Sequence, residues 1–326
     1  MISVATQAGL FRFSKGSSGW KQLGVAYEDI GFCDVASDPA RPGHVVAAAR
    51  DVGIFESEDS GLTWTQMATD LDPWSIDVGF DGTAYAGVRP TAIYHRPPGA
   101  EWGPLDLLTD QPAYGTWTFP TAPHLPNIRD IAFSPSNAHA LFAAVEVGGL
   151  LVTTDDGATW ANHREGIHLD IHSVVAAPGE EDVIYAATGR GFYRSFNAGR
   201  QWEPASDGLA GLYLVPIVAN VSEPHTLVTS ATQGRPRYWR TRDSGAESVI
   251  YRSRDGGSRW HPVMQGLPEQ MVGAVTGLAV DRSNADALYA TVSDGQVLAS
   301  DSFGDDWVVV ASGLPWANSV AVIADS

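Results

Sequence analysis

The sequence predicts an all-β fold: a seven-bladed β-propeller with four-stranded blades, in a single domain over residues 1–326. Three observations predict it. A short turn ending in tryptophan recurs at a blade-sized spacing. The segments between these turns divide into short strand-like runs. No stretch sustains a helical period for more than about two turns.

The turn is clearest at Ser57-Glu-Asp59-Ser-Gly61-Leu-Thr-Trp64. It recurs from Thr153 through Asp155 and Gly157 to Trp160, from Ser195 through Asn197 and Gly199 to Trp202, and from Ser253 through Asp255 and Gly257 to Trp260. A reduced copy runs from Ser300 through Ser302 and Gly304 to Trp307. Two more keep the frame without the acid: His95 to Trp102, and Ser14 to Trp20, which is one residue short. From Trp20 the closing tryptophans follow at steps of 44, 38, 58, 42, 58 and 47 residues. Periods in this range are those of four strands per propeller blade.

The elements follow in order. Ile2–Thr6 reads as the second strand of a blade, Leu10–Ser14 as its third and Trp20–Leu23 as its fourth. Six whole units come next. The sixth shows the pattern: Val275–Val280, Ala287–Val292, Gln296–Ser300 and Trp307–Ala311, apolar or β-branched runs between Gly, Pro and Asp signals. Asn318–Ala324 reads as a first strand that completes the blade begun by residues 1–23. That pairing closes the ring and removes an exposed sheet edge. Nearest-neighbour packing of blades lets a chain of this length form one domain.

The turn is a structural device. A Ser or Thr hydroxyl and an Asp or Asn side chain bond backbone N–H groups two or three residues on. Glycine supplies a backbone angle that other residues resist. Tryptophan buries a large apolar surface. Asp59, Asp155, Asn197 and Asp255, with Trp64, Trp160, Trp202 and Trp260, are therefore assigned to the scaffold, because a residue needed once for chemistry would not recur in most repeats. These residues resemble the Asp-box, or BNR repeat, found in sialidases, xyloglucanases, sortilin-type receptors and photosystem II assembly-factor propellers. The resemblance runs from Ser14 to Trp307. It implies a propeller with the box between the third and fourth strands of each blade.

Composition narrows the function classes. The formal net charge is −18, from 38 acidic and 20 basic residues. That charge argues against nucleic acid and anionic membranes as partners. The single cysteine, Cys33, excludes an intrachain disulfide and sits in an apolar run, where a buried inert thiol is expected. No signal peptide is read ahead of Ile2 and no apolar run is long enough for a membrane span. A cytoplasmic monomer is expected, with no cofactor.

In a propeller, the loops into each first strand and those from second to third strand surround the channel mouth. Both long steps place insertions there, over 103–127 and 232–247. The first carries Tyr114, Trp117, Phe119 and His124; the second packs Arg235, Arg237, Tyr238, Trp239, Arg240 and Arg242 into eight residues. Insertions on one face of a repeat array form binding faces. Arginine forks suit carboxylate, phosphate or sulfate, and aromatic faces suit stacking. The predicted ligand contacts are Arg50, Arg89, Arg129, Arg190, Tyr213, Arg235, Arg237, Tyr238 and Trp239. Shorter mouth loops add Asp51, Glu146 and Asp294, and Trp74 and Trp316 stand at strand entries. His168, Asp170 and His172 would share one face of a strand and offer a weak metal set. Asp29, Asp72, Asp170 and His172 are the candidates for catalysis, by general acid–base use or as paired carboxylates.

The favoured function is a binding or scaffold propeller that takes a polar or anionic small molecule, a carbohydrate or a protein segment at the mouth. The alternatives are a glycoside hydrolase and a small-molecule lyase or hydrolase. The sialidases that the repeat resembles carry an arginine in a Phe/Tyr-Arg-Ile-Pro motif. Here Phe11-Arg12-Phe13-Ser14 departs from that pattern, and no Arg-Ile-Pro occurs.

Overall fold

The computed structural model describes residues 1–106 and 108–324. Leu107, inside the 103–127 segment, and Asp325 and Ser326, at the end of the predicted domain, lie outside the described residues. The chain forms seven antiparallel sheets of four strands each, a seven-bladed β-propeller. Six blades are built from consecutive strands, over residues 34–68, 73–106, 128–163, 171–204, 213–262 and 275–311. The closing blade combines Ala317–Val322 with Ile2–Thr6, Gly9–Gly16 and Gly19–Ala26. Ala317–Val322 pairs antiparallel with Ile2–Thr6, as the patterning predicts. First strands of consecutive blades pack side by side round the whole ring, ending with the closing blade against blade one.

The apolar core is divided into seven clusters, one at each blade–blade interface. Second strands such as Val45–Ala49, Leu141–Val145 and Ile184–Thr188 are buried at every position. They are sandwiched between neighbouring blades on both faces, which is why they read as unbroken apolar runs rather than alternations.

The repeated turn behaves as its chemistry requires. Ser57 Oγ donates to Asp59 Oδ1 at 2.8 Å and accepts the Gly61 amide at 2.8 Å, while Asp59 Oδ1 accepts the Thr63 amide at 2.8 Å. The copies at Thr153, Ser195 and Ser253 repeat this pattern. The reduced copy keeps it too: Ser300 Oγ accepts the Gly304 amide at 2.8 Å, and Ser302 Oγ replaces the carboxylate in accepting the Asp306 amide at 2.9 Å. Burial pushes Asp59 upward, but the hydrogen bonds from Thr63 and Ser57 outweigh it and hold the carboxyl at about 2. At Gly257 the backbone is left-handed, φ +82°, and a Cβ would stand 2.1 Å from Cε1 of Phe192 in the preceding blade. The turn thus locks its own blade and its neighbour together. The Ser14–Trp20 copy is different. Its residues form a tight hairpin with Gly16 opposite Gly19, so Ser14 lies inside a strand rather than in a turn.

Candidate functional site

The mouth is shaped by a defect repeated in the first strands. In blades two to six and in the closing blade, the register between first and second strand slips near the mouth end. The extra residue is Trp74, Arg129, His172, Thr276 or Asn318, or falls in the Val215–Pro216 pair. A bulge re-aims a side chain and ends regular pairing. Here it takes one residue per blade, or two in blade five, out of the regular pairing.

Several of these side chains bond the next blade. His172 Nδ1 meets the Leu214 carbonyl at 2.5 Å, Thr276 Oγ1 donates to the Ala317 carbonyl at 2.7 Å, and Asn318 Nδ2 to the Phe32 carbonyl at 2.7 Å. Cys33 occupies the same place in blade one and donates to the Pro73 carbonyl at 3.3 Å. Ser75, one residue beyond the bulge, donates to the Ile128 carbonyl at 3.0 Å. This girdle ties blade to blade and fixes the orientation of the residues at the mouth.

On one side, Trp74 is the centre. Arg50 stacks over its ring at 3.8 Å and Arg89 lies 5.1 Å from it. Phe119 meets the same ring edge-on at 5.1 Å. Asp72 is tied to Arg89 at 2.6 Å, and Asp51 reaches Arg89 at 3.4 Å. On the other side, Trp239 meets Tyr213 edge-on at 5.8 Å, and Tyr213 lies 4.7 Å from the His172 ring. His172 Nε2 is 3.4 Å from Asp170 Oδ1, and Arg129 Nε is 3.9 Å from Glu146 Oε2. An isolated antiparallel bridge joins Glu146 to Asp170. Burial raises Tyr213, and the nearby Asp170 and Glu146 add to that. Burial also pushes Asp170 upward, but His172, His168 and Arg129 prevail and leave it below its ordinary value. Burial lowers Arg129, and Glu146 more than restores it, so the guanidinium stays charged.

The 232–247 loop folds across the mouth. Pro236–Trp239 makes one helical turn, held by Trp239 Nε1 donating to the Gly234 carbonyl at 2.9 Å. Arg240 stacks over Trp316 of the closing blade at 4.3 Å, so the loop reaches past blade six. Arg237 and Arg242 lie over the Tyr238 ring at 4.5 and 4.6 Å. Arg235, Arg237, Arg240 and Arg242 are all exposed, and among the described residues none pairs with a carboxylate. Arg237, Arg240 and Arg242 rest on aromatic faces, and Arg242 also donates to the Gln233 carbonyl at 2.8 Å, contacts that leave their charge uncompensated.

Below the mouth, Asp34, Asp77 and Asp130 stand on the first strands of blades one to three. Asp34 Oδ2 accepts the Ile76 amide of the next blade at 2.9 Å, as Asp130 Oδ2 accepts the Val174 amide at 2.7 Å. Burial, reinforced by these like charges, pushes Asp130 up to about 7 and Asp77 up to about 6.

The predicted residues therefore fall into groups. Arg50 and Arg89 meet at Trp74; Arg129, Asp170, His172, Tyr213 and Trp239 form a second chain of contacts; Arg235, Arg237 and Tyr238 lie above it. His168 precedes the strand, which starts only at Ile171, and it stays outside the close triad that Asp170 and His172 make with Glu146. Arg190 is exposed and close enough to His168 to lower its basicity, after burial has done so. Asp29 is exposed and Asp72 is ion-paired with Arg89, while the carboxylate that Asp170 meets is that of Glu146. In the first insertion, Gly103–Asp106 is the fourth strand of blade two, and Trp117 is buried in the core between blades two and three. Two surface cavities, of about 410 and 310 Å³, lie away from the mouth, beside the turns of blades four and six.

No protein-family model matches the chain, and no curated protein matches it. Solved structures share the fold. YCF48 from Cyanidioschyzon merolae superposes with a TM-score of 0.60 at 15% identity, covering 86% of each chain. YCF48 bound to D1 peptide gives 0.62 at 16% identity, over 91% of this chain and 87% of that one. An ancestral GH74 enzyme gives 0.62 at 16% identity, over 85% of this chain but 38% of that one. U3-55K gives 0.64 at 13% identity, over 95% of this chain and 87% of that one.

Proposed function

We propose that this chain is a binding propeller whose channel mouth holds an acidic segment of a partner protein. One observation carries this reading. The 232–247 loop carries four exposed arginines, none paired with a carboxylate among the described residues, beside the half-buried rings of Tyr213, Trp239 and Trp316 in a chain of net charge −18. Solvated arginines are ordinarily matched by acids in so acidic a chain. Arginine forks aligned by aromatic faces suit carboxylates, and the aromatic faces suit the rest of an extended chain. A propeller of similar fold has been solved with a peptide bound. A glycoside-hydrolase reading finds less support, because Asp72 is neutralised by Arg89 and Asp29 stands apart.

The test is fluorescence anisotropy with labelled twelve-residue peptides, acidic and neutral, against the wild type and the Arg235→Ala/Arg237→Ala double variant. Each lost charge-assisted contact costs about 1 kcal/mol at an exposed site, so the double variant is expected to bind acidic peptides at least tenfold more weakly. Equal binding of acidic and neutral peptides, or an unchanged double variant, overturns the reading. Competition by acetate, phosphate or sugars at micromolar concentration moves it to a small-molecule site.

A further inference from the structure

We propose that Glu146, Asp170 and His172 bind one divalent transition-metal ion at the edge of the channel mouth. The three residues come from two neighbouring blades: Glu146 from the second-to-third-strand loop of blade three, Asp170 and His172 from the entry to blade four. One donor atom from each lies within 4.8 Å of the other two. The backbone holds them there. Glu146 and Asp170 form an antiparallel bridge, the Gly189 amide donates to the Asp170 carbonyl at 2.9 Å, and the Glu146 amide donates to the Asn127 carbonyl at 3.1 Å. A Cβ at Gly189 would stand 2.4 Å from Asp170 Oδ2, so glycine leaves the carboxylate its place.

The histidine is set as a ligand. A carbonyl can only accept, so His172 Nδ1 carries the proton it shares with Leu214 at 2.5 Å. That leaves Nε2, 3.4 Å from Asp170 Oδ1, as the ring nitrogen that can give a lone pair to a cation. A ring nitrogen that donates to a carbonyl while its partner nitrogen faces carboxylates is the outer-shell arrangement of a metal-bound histidine. His172 is 5% exposed, and His172 Nε2, Asp170 Oδ1 and Glu146 Oε2 are all buried without a hydrogen-bond partner. Lone pairs facing one another in a buried site are costly. A cation among them satisfies all three together. His172 Nε2 and Asp170 Oδ1 are 3.4 Å apart, which is about the ligand–ligand edge of a tetrahedral site with metal bonds near 2.1 Å.

One imidazole and two carboxylates favour zinc, manganese or a similar first-row ion over calcium or magnesium, which prefer all-oxygen shells. The cation already nearby, Arg129, is 3.9 Å from Glu146 Oε2 and leaves the two carboxylates only half balanced. The Asp170 side chain keeps 18% of its surface exposed, which gives water a route to complete the shell. None of this depends on the mouth taking an acidic segment.

The test begins with protein stripped by chelator and returned to Zn²⁺ or Co²⁺ by titration calorimetry. One equivalent should bind per chain, and Co²⁺ should develop the visible absorption of a low-coordinate N/O site. Removing even an outer-shell partner weakens metal sites by about 10–100-fold. Asp170→Asn and Glu146→Gln, each on its own loop, should therefore weaken Zn²⁺ binding by at least that factor while the metal-free proteins melt within a few degrees of wild type. If one variant does not fold, the other gives the same answer. His44→Gln, in the separate His44–Glu56–Glu58 group, should leave that equivalent in place. No binding to wild type at 100 µM Zn²⁺, or binding that survives both carboxamide variants, overturns the proposal.

Discussion

Asp130→Asn should stabilise the protein above neutral pH and do little below pH 4. Asp130 stands on the first strand of blade three, half-buried in the channel, and its Oδ2 accepts the Val174 amide at 2.7 Å. Burial is the largest influence and Asp34 and Asp77 add like charge, so the carboxyl rises from 3.8 to about 7. The folded state therefore binds a proton that the unfolded state releases between these values. Stability is then greatest below about pH 4 and falls as pH rises toward 7, where the penalty becomes complete. One unit is worth 1.36 kcal/mol, so the ceiling is about 4 kcal/mol. Channel water and the shared titration of three acids reduce this to about 2 kcal/mol. Asparagine removes the charge and keeps an oxygen for the Val174 amide. Burial lowers His95, His163 and His168, which act in the opposite sense, so the difference between variant and wild type is the quantity to follow. Urea unfolding at pH 4 and pH 8 measures it. The variant should gain about 2 kcal/mol at pH 8 relative to its effect at pH 4, with an unchanged m-value. An effect of equal size at both pH values would refute the reasoning.

Two further outcomes follow from the scaffold. Ser253→Ala removes a fully buried hydroxyl that donates to Asp255 at 2.7 Å and accepts the Gly257 amide at 2.9 Å; it should cost about 2 kcal/mol in urea unfolding. Asp255→Asn should cost under about 0.5 kcal/mol, because Asn197 already fills that place and accepts from Ser195 at 3.0 Å. Equal losses from the two would show that the carboxylate charge, not the hydrogen-bond geometry, holds the turn. The Cys33 thiol is pushed up to about 11, chiefly by burial, and faces the Ala48 and Pro73 carbonyls. It should resist a disulfide reagent at pH 8 in native protein and react with one equivalent in urea; rapid native labelling would contradict that.

The ring was legible because each unit repeats the same solution. A hydroxyl, an acid or amide, a glycine and a tryptophan at fixed offsets specify one turn, and seven such frames leave little choice of architecture. The bulges were not legible, because a bulge belongs to the pairing of two strands and leaves no local mark in either. That is why His168, Asp170 and His172 read as one strand face. The strand begins only at Ile171, and the extra residue at His172 breaks the alternation. Glu146, the true neighbour of Asp170, lies in the preceding blade. Aligning the units would have found it, since Asp72, Asn127, Asp170 and Trp316 all accept a backbone bond from the adjoining loop. Trp117 misled in another way. A tryptophan among prolines reads as a binding face, yet it fills the core between two blades, as a large apolar side chain does wherever a gap is near.

The acidity of the chain and the arginines of its mouth are connected. If the partner segment is acidic, as proposed, screening leaves it little field beyond the Debye length, about 8 Å at physiological salt, and within that distance the net −18 surface repels it except near Arg235, Arg237, Arg240 and Arg242. Long-range steering would then give encounter no help, and complex lifetime would have to come from contact. That places the burden on orientation. Two of these guanidiniums rest on Tyr238 and one on Trp316, which limits their freedom before a ligand arrives. Forks already aligned lose less entropy on binding than free side chains do. The same aromatic faces exclude water around the contact. On the proposed reading, a mouth built in this way would discriminate at close range, by the fit of carboxylates to fixed forks, and not by the sign of the protein's field.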